Sequence, residues 1–254
     1  MTEFPAAAPA PPTPAEPNPN PIARVFGALF SPGETFASIA RRPDWVVPLV
    51  LIVIVSYVGT ALILPRMDWD AVISAQQEQM KAQGGNVPPE QAERVARFTK
   101  AGGQVFGWVA PVFFILWYLL VAAVLLLAFR LAGGEGGFKQ AFSATLYAWM
   151  PLLLNSILVT VVAVLRHGLI DPTQMATMVK SNPAFLVDLK AQPVLFALLS
   201  SIDVFTIWTV VLLIVGFAAL SRSSKAKAAM IVIPLWFVCI LIKLIGPAIQ
   251  SLRK

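Results

Sequence analysis

The chain has 254 residues, 57% of them hydrophobic and only 13% charged, with a formal net charge of +6 and a mean hydropathy of +0.75. A soluble domain carries about 25% charge to solvate its surface, so this composition excludes an ordinary globular protein. The 19 Lys and Arg residues are spread over every loop rather than gathered on one helix or stripe, which excludes a nucleic-acid footprint and leaves anionic lipid headgroups as the expected counter-charge, at about 1 kcal/mol per juxtamembrane cation.

Residues 1–21 are almost entirely Ala, Pro, Thr, Glu and Asn. They lack the basic start and apolar centre of a cleavable signal peptide and read as a disordered tail. From residue 22 the chain becomes amphipathic, with Ile22, Val25, Phe26, Leu29 and Phe30 at helical spacing. Ser31-Pro32-Gly33-Glu34 predicts a capping box. The Ser31 hydroxyl would satisfy a free amide, Pro32 would take the first helical position and Glu34 would reach back. The second short helix then runs to about Ala40, apolar on its Phe36, Ile39 and Ala40 side, and Arg41-Arg42-Pro43 ends it. Both helices are expected to lie at the membrane interface, with packing on the protein's own loops as the alternative.

Five apolar stretches follow, at about 45–64, 105–131, 142–165, 194–220 and 228–249. At a rise of about 1.5 Å per residue, roughly 20 residues cover a hydrocarbon core of about 30 Å. The expected fold is therefore all-α, a polytopic bundle of five transmembrane helices with short interfacial helices. Two connecting segments are long enough for structure. Residues 68–83 have helical composition, Gly84-Gly85-Asn86 breaks them, and Pro88-Pro89-Glu90 restarts a helix, predicting a polar hairpin outside the bilayer. Residues 171–192 predict short helices lying on the membrane.

Several of these features resemble the bacterial YIP-domain family of Ypt-interacting proteins. Phe30-Ser31-Pro32, Phe36, Ile39, Pro43 and Pro48 resemble its start. Phe138, Ala141, Tyr147 and Pro151 match its third span. Asn182-Pro183-Ala184-Phe185-Leu186, Asp203-Val204-Phe205-Thr206-Ile207-Trp208, Gly216-Phe217 and Lys225-Ala226-Lys227-Ala228 are similar to its stretch from fourth to fifth span. The resemblance covers about residues 22–248 and implies a five-span membrane domain with a cytoplasmic N-terminus. Eukaryotic members act in vesicle trafficking and bind Rab-type GTPases; the short Ala/Pro tail here is unlike an established GTPase-binding region. Basic residues are almost equally numerous in the two sets of loops. Raw counting slightly favours the opposite orientation, but Arg222, Lys225 and Lys227 crowd one short acid-free loop, and with Arg41 and Arg42 they form the expected membrane-surface basic set; that density together with the family resemblance implies N-inside and C-outside in a bacterial cytoplasmic membrane.

Candidate site residues are few. Asp203 falls within the fourth apolar stretch, where a central carboxylate costs about 2.5 to 3.5 kcal/mol. Lys243 in the fifth lies a similar distance from the turn joining the two, so a pair is expected, with Asn155 of the third span able to join it. Two roles fit: a buried structural anchor, or a proton, cation or ligand contact. Gly133-Gly134-Glu135-Gly136-Gly137 lacks the lysine and preceding strand of a phosphate loop and reads as a flexible turn. Gly103 and Gly107 have close-packing spacing. His167, the single histidine, makes neither a zinc site nor a triad. Cys239, the single cysteine, permits no intrachain disulfide and reads as a small buried hydrophobe. Trp45, Trp69, Trp108 and Trp149 suit an aromatic belt. No catalytic, cofactor or metal constellation is present. The expected function is a non-enzymatic membrane scaffold or adaptor that organises membrane lipids or partner proteins, with no nucleic-acid partner; other membrane or peripheral proteins and an oligomer stay open. The alternative is a small transporter or channel using Asp203, Lys243 and Asn155.

Overall fold

A computed structural model describes residues 20–82 and 88–252. Residues 1–19 of the Ala/Pro tail and the expected break at Gly84-Gly85-Asn86 lie outside the described residues. Ten α-helices follow in order: α1 (Pro21–Phe30), α2 (Pro32–Arg41), α3 (Val46–Ile63), α4 (Trp69–Ala82), α5 (Pro89–Leu131), α6 (Phe138–Ala148), α7 (Met150–Leu165), α8 (Pro193–Leu199), α9 (Val204–Leu220) and α10 (Lys225–Leu252). No strand occurs among the described residues, only one bridge between Met67 and Ile170. Among the described residues four helical units are long and apolar enough to cross a membrane: α3 with the 3-10 turn after it, α5, α6 with α7, and α10. The pair α8 and α9, bent by 50°, supplies the fifth when counted as one span. The molecule is an all-α polytopic bundle.

Local chemistry explains the breaks. Pro151 has no N–H for the Tyr147 carbonyl, so the third span divides at Trp149 into α6 and α7. The fourth span divides because Ser200, Ser201 and Asp203 bond to nearby backbone groups. Both serine hydroxyls donate to the Ala197 carbonyl, at 3.0 and 2.8 Å, and the Asp203 carboxylate accepts from the Phe205 amide at 2.8 Å. Such residues compete with the helical ladder. By contrast, the expected hairpin helix after Pro88 does not stop before the second span. It continues through 43 residues as α5, about 65 Å at 1.5 Å per residue and so roughly twice the hydrocarbon thickness. Gly103 lies against the Trp69 ring and Gly107 against Leu64, so the small residues let the first turn of α4 and the end of α3 approach α5. The 171–192 segment forms two 3-10 turns, Pro172–Thr177 and Pro183–Leu186.

The helix α9 is the centre of the bundle, packed by α2, α6, α7 and α10. Leu212 and Phe217 on it are almost fully buried, and the Phe217 ring meets Phe129 of α5 at 5.1 Å between centroids. The outer helices α3, α5 and α10 keep apolar outward faces exposed, including Val50, Leu127 and Leu241. Those faces suit lipid, not water. Cys239 is exposed, correcting its expected burial: it falls in the outer half of α10, where Phe237, Val238 and Leu241 are exposed as well. Trp149 is also not at a span end. It lies in the middle of the third span, its ring 5.6 Å from Tyr118.

Candidate functional site

At one end of the bundle, α1 and α2 form a tight helical corner. The Asn20 side chain caps α1 by accepting from the Ile22 amide at 2.9 Å. Ser31 is shared between the two helices: its N–H donates to the Gly27 carbonyl at 2.7 Å while its own carbonyl accepts from Thr35. Its side chain makes no cap bond, so the expected Ser31 and Glu34 capping box is not formed. With no linker between the helices, the Ser31 backbone must finish α1, and Glu34 stays exposed in the first turn of α2, where its charge suits the helix N-terminus.

The interfacial expectation divides between the two helices. Phe36 and Ile39 of α2, each 1% exposed, are buried. The Phe36 ring rests where a Cβ on Gly216 of α9 would stand, 2.9 Å away. Thus α2 packs on the bundle itself. In α1 the polarity is inverted: Arg24 is buried at 6% exposure, while Ile22, Phe26 and Phe30 are 58%, 61% and 75% exposed. Those three recur every four residues and form one outward stripe.

Arg24 is the residue that sequence reasoning missed. Its guanidinium donates to the Arg42 carbonyl and to the Ser38 hydroxyl, both at 2.9 Å, and so ties α1 across α2. Beside it, the fully buried Tyr147 donates its hydroxyl to Asp44 at 3.5 Å. Gln140 of α6 accepts from the Gly137 amide at 2.7 Å and donates to the Ala40 carbonyl at 3.3 Å. Tyr147 and Gln140 therefore fasten the corner to the third span, while Arg24 holds its two helices together. A lone arginine on an otherwise apolar helix was the available signal.

The basic residues expected at the membrane surface gather at this same end. Arg41, Arg42, Arg222 and Lys225 are exposed and Lys227 is half-buried. Arg222 pairs with Glu135 at 3.2 Å, and Lys227 donates to the Ala132 carbonyl at 2.6 Å. The glycine-rich loop is accordingly docked on the α9–α10 turn. A Cβ at Gly134 would collide with Ser221 and one at Gly136 with Leu220, so these glycines permit close approach.

At the opposite end lies the break between α8 and α9. Asp203 is buried there and caps α9, accepting from the Phe205 and Thr206 amides and from the Ser181 hydroxyl. Since α9 has 17 residues, Asp203 lies about 26 Å from the α9–α10 turn, near the far boundary of a roughly 30 Å core and not at its centre. Lys243 comes to the same break but does not pair with Asp203. Its ammonium donates to Ser200 and Ser201, at 3.0 Å each, because the 50° bend turns the serines toward α10. Asn155 joins neither; its side-chain oxygen is buried without a hydrogen-bond partner among the described residues. His167 is exposed in the loop after α7. No group of three or more His, Cys, Asp or Glu among the described residues could hold a metal ion.

The model of the Yip1 domain family matches residues 26–245. The chain is 26% identical over 234 residues to the membrane protein YknW of Bacillus subtilis (strain 168), a match covering 89% of this chain and 91% of that protein. No solved structure matches it.

Proposed function

The chain belongs to the Yip1 domain family, and from that premise we propose that it is a non-enzymatic scaffold of the bacterial cytoplasmic membrane that organises lipid around its N-terminal end. The observation carrying this reading is the inverted α1, with Arg24 turned inward and Ile22, Phe26 and Phe30 outward. An outward apolar stripe beside exposed Arg41, Arg42, Arg222 and Lys225 suits the acyl boundary and anionic headgroups of one leaflet. The density of basic residues at this end supports a cytoplasmic N-terminus. A reporter active only in the cytoplasm should work fused before Ile22 and fail after Lys254.

The lipid composition of native nanodiscs tests the scaffold. Anionic lipid should be enriched around the protein relative to the bulk membrane, and the enrichment should fall when Arg41, Arg222 and Lys225 are changed to Gln together. An annulus identical to the bulk would reject the reading. A second reading, a small transporter, draws support from the broken fourth span, because discontinuous helices form ion sites in transporters. Against it stand the Asp203 oxygens, already occupied by Ser181 and two amides. Proton or cation flux in proteoliposomes that disappears in a stably folded Asp203→Asn variant would favour transport.

A further inference from the structure

Between α3, α5 and α7 lies a cavity of about 310 Å³. Its floor is α3, which packs against both neighbours, while α5 and α7 stand apart above it. The walls include Thr60, Ile63, Phe106, Phe114 and Val159, and Met175 closes one end. It opens sideways, where Phe106 and Phe114 are 63% and 48% exposed. No charged side chain lines it. The Thr160 hydroxyl on its wall is already donated to the Ser156 carbonyl of its own helix, at 2.9 Å. The rest of the lining is apolar apart from the hydroxyls of Ser56, Thr60 and Ser156, so a charge placed there would exchange its water for a few neutral hydroxyls and no countercharge.

Depth identifies the surrounding phase. The α3 part of the lining, Ser56 to Ile63, lies about 15 to 26 Å from the start of that helix at 1.5 Å per residue, hence beyond the midplane of a roughly 30 Å core. The α5 part, Phe106 to Phe114, lies in the same half, away from the end that carries α1. The side opening therefore faces acyl chains of the far leaflet. An apolar cavity of about 150 Å³ accommodates a benzene ring, so this one has room for about a dozen carbons.

We infer that the cavity between α3, α5 and α7 is a binding site for one acyl chain of a far-leaflet phospholipid, which enters sideways between Phe106 and Phe114 and leaves its headgroup outside. Pro111 assists this. It has no N–H for the Gly107 carbonyl, and both residues line the cavity, so α5 is weakest in its own hydrogen bonding where it must stand clear of α7. The inference is independent of α1 and of the basic end.

Full-length protein in liposomes containing a phosphatidylethanolamine with a diazirine in one acyl chain provides the test. After illumination, label should concentrate on Ile63, Phe114 and Val159 over Leu127 and Leu241, which are exposed on outward faces. Ala110→Phe fills the cavity from the α5 wall and Ser156→Phe from the α7 wall. Either should reduce labelling inside roughly tenfold, the loss expected when a few methylenes are displaced, and leave Leu127 unchanged. Replacing the probe headgroup by phosphatidylglycerol should not alter labelling of Ile63, Phe114 and Val159, which lie away from the basic end. Label spread evenly over all exposed positions would overturn the site, as would undiminished cavity labelling in both folded variants. Dependence of the labelling at Ile63, Phe114 and Val159 on the headgroup would overturn the assignment to an acyl chain.

Discussion

The guanidinium of Arg66 donates to the carbonyl of Ala163 at 2.8 Å and, from the same nitrogen, to that of Val164 at 3.2 Å. Its other terminal nitrogen reaches the carbonyls of Arg166 and Gly168. The last carbonyls of a helix have no intrahelical donors, so a side chain from the end of α3 closes the end of α7. The Ile170 amide adds a bond to the Arg66 carbonyl at 2.8 Å. First and third spans are thereby fixed to each other at the far membrane boundary, beside the cavity that their helices help to form.

Arg66→Ala should lower stability in detergent by about 1 to 3 kcal/mol, the range for losing hydrogen bonds from a charged donor. Arg66→Lys should recover only part, because an ammonium lacks the planar fork that spans several carbonyls. Thermal unfolding followed by circular dichroism checks both. An unchanged melting temperature in Arg66→Ala would remove the cap from the account.

Arg24 makes a corresponding prediction at the other end. Arg24→Met keeps an apolar stem but removes the bonds to Arg42 and Ser38, and α1 should come loose from α2 while the spans stay folded. In a Cys239→Ser background, a spin label at Leu29, which is partly buried against the bundle, should become more mobile in Arg24→Met. Ser38→Ala, which removes one acceptor only, should release it less. Equal immobility in all three proteins would mean that packing alone holds the corner.

The close contact of Phe36 with Gly216 predicts a size-dependent pair. Gly216→Ala places a methyl against a ring with 1% exposure and should cost about 1 to 3 kcal/mol, as overpacking of a full core does. Phe36→Leu should cost stability alone yet recover part of the loss when combined with Gly216→Ala. Strictly additive losses would show that the two sites do not share space.

Hydropathy carried the spans because each is a run of apolar residues matched to bilayer thickness, and that match does not depend on partners. Connections were less visible. Ser200-Ser201-Ile202-Asp203 carries the side-chain chemistry of a helix stop and an N-cap, but it sits inside an apolar stretch and was absorbed into one span. Counting residues from the turn sets Asp203 and Lys243 at similar distances from it, but cannot foresee that Ser181, from a loop 22 residues away, takes the carboxylate. The Ser31 box failed for a related reason: its residues suit a free helix start, whereas α1 ends on the same residue. Arg24 stayed hidden because composition marks an arginine as surface and only tertiary packing turns it inward.

The last prediction separates the two polar arms of the fourth-span break. Asp203→Ala removes an N-cap and a buried acceptor and should cost about 1 to 2 kcal/mol. Asp203→Asn should cost less, since asparagine caps almost as well. Ser181→Ala should couple strongly to Asp203→Ala, because the two side chains bond directly. Lys243→Met should couple weakly to it, because the lysine bonds to Ser200 and Ser201 instead. Two double-mutant cycles, read from unfolding in the same detergent, decide the matter. A larger coupling to Lys243 than to Ser181 would restore a direct Asp203–Lys243 pair, with the buried-charge energetics that such a pair brings.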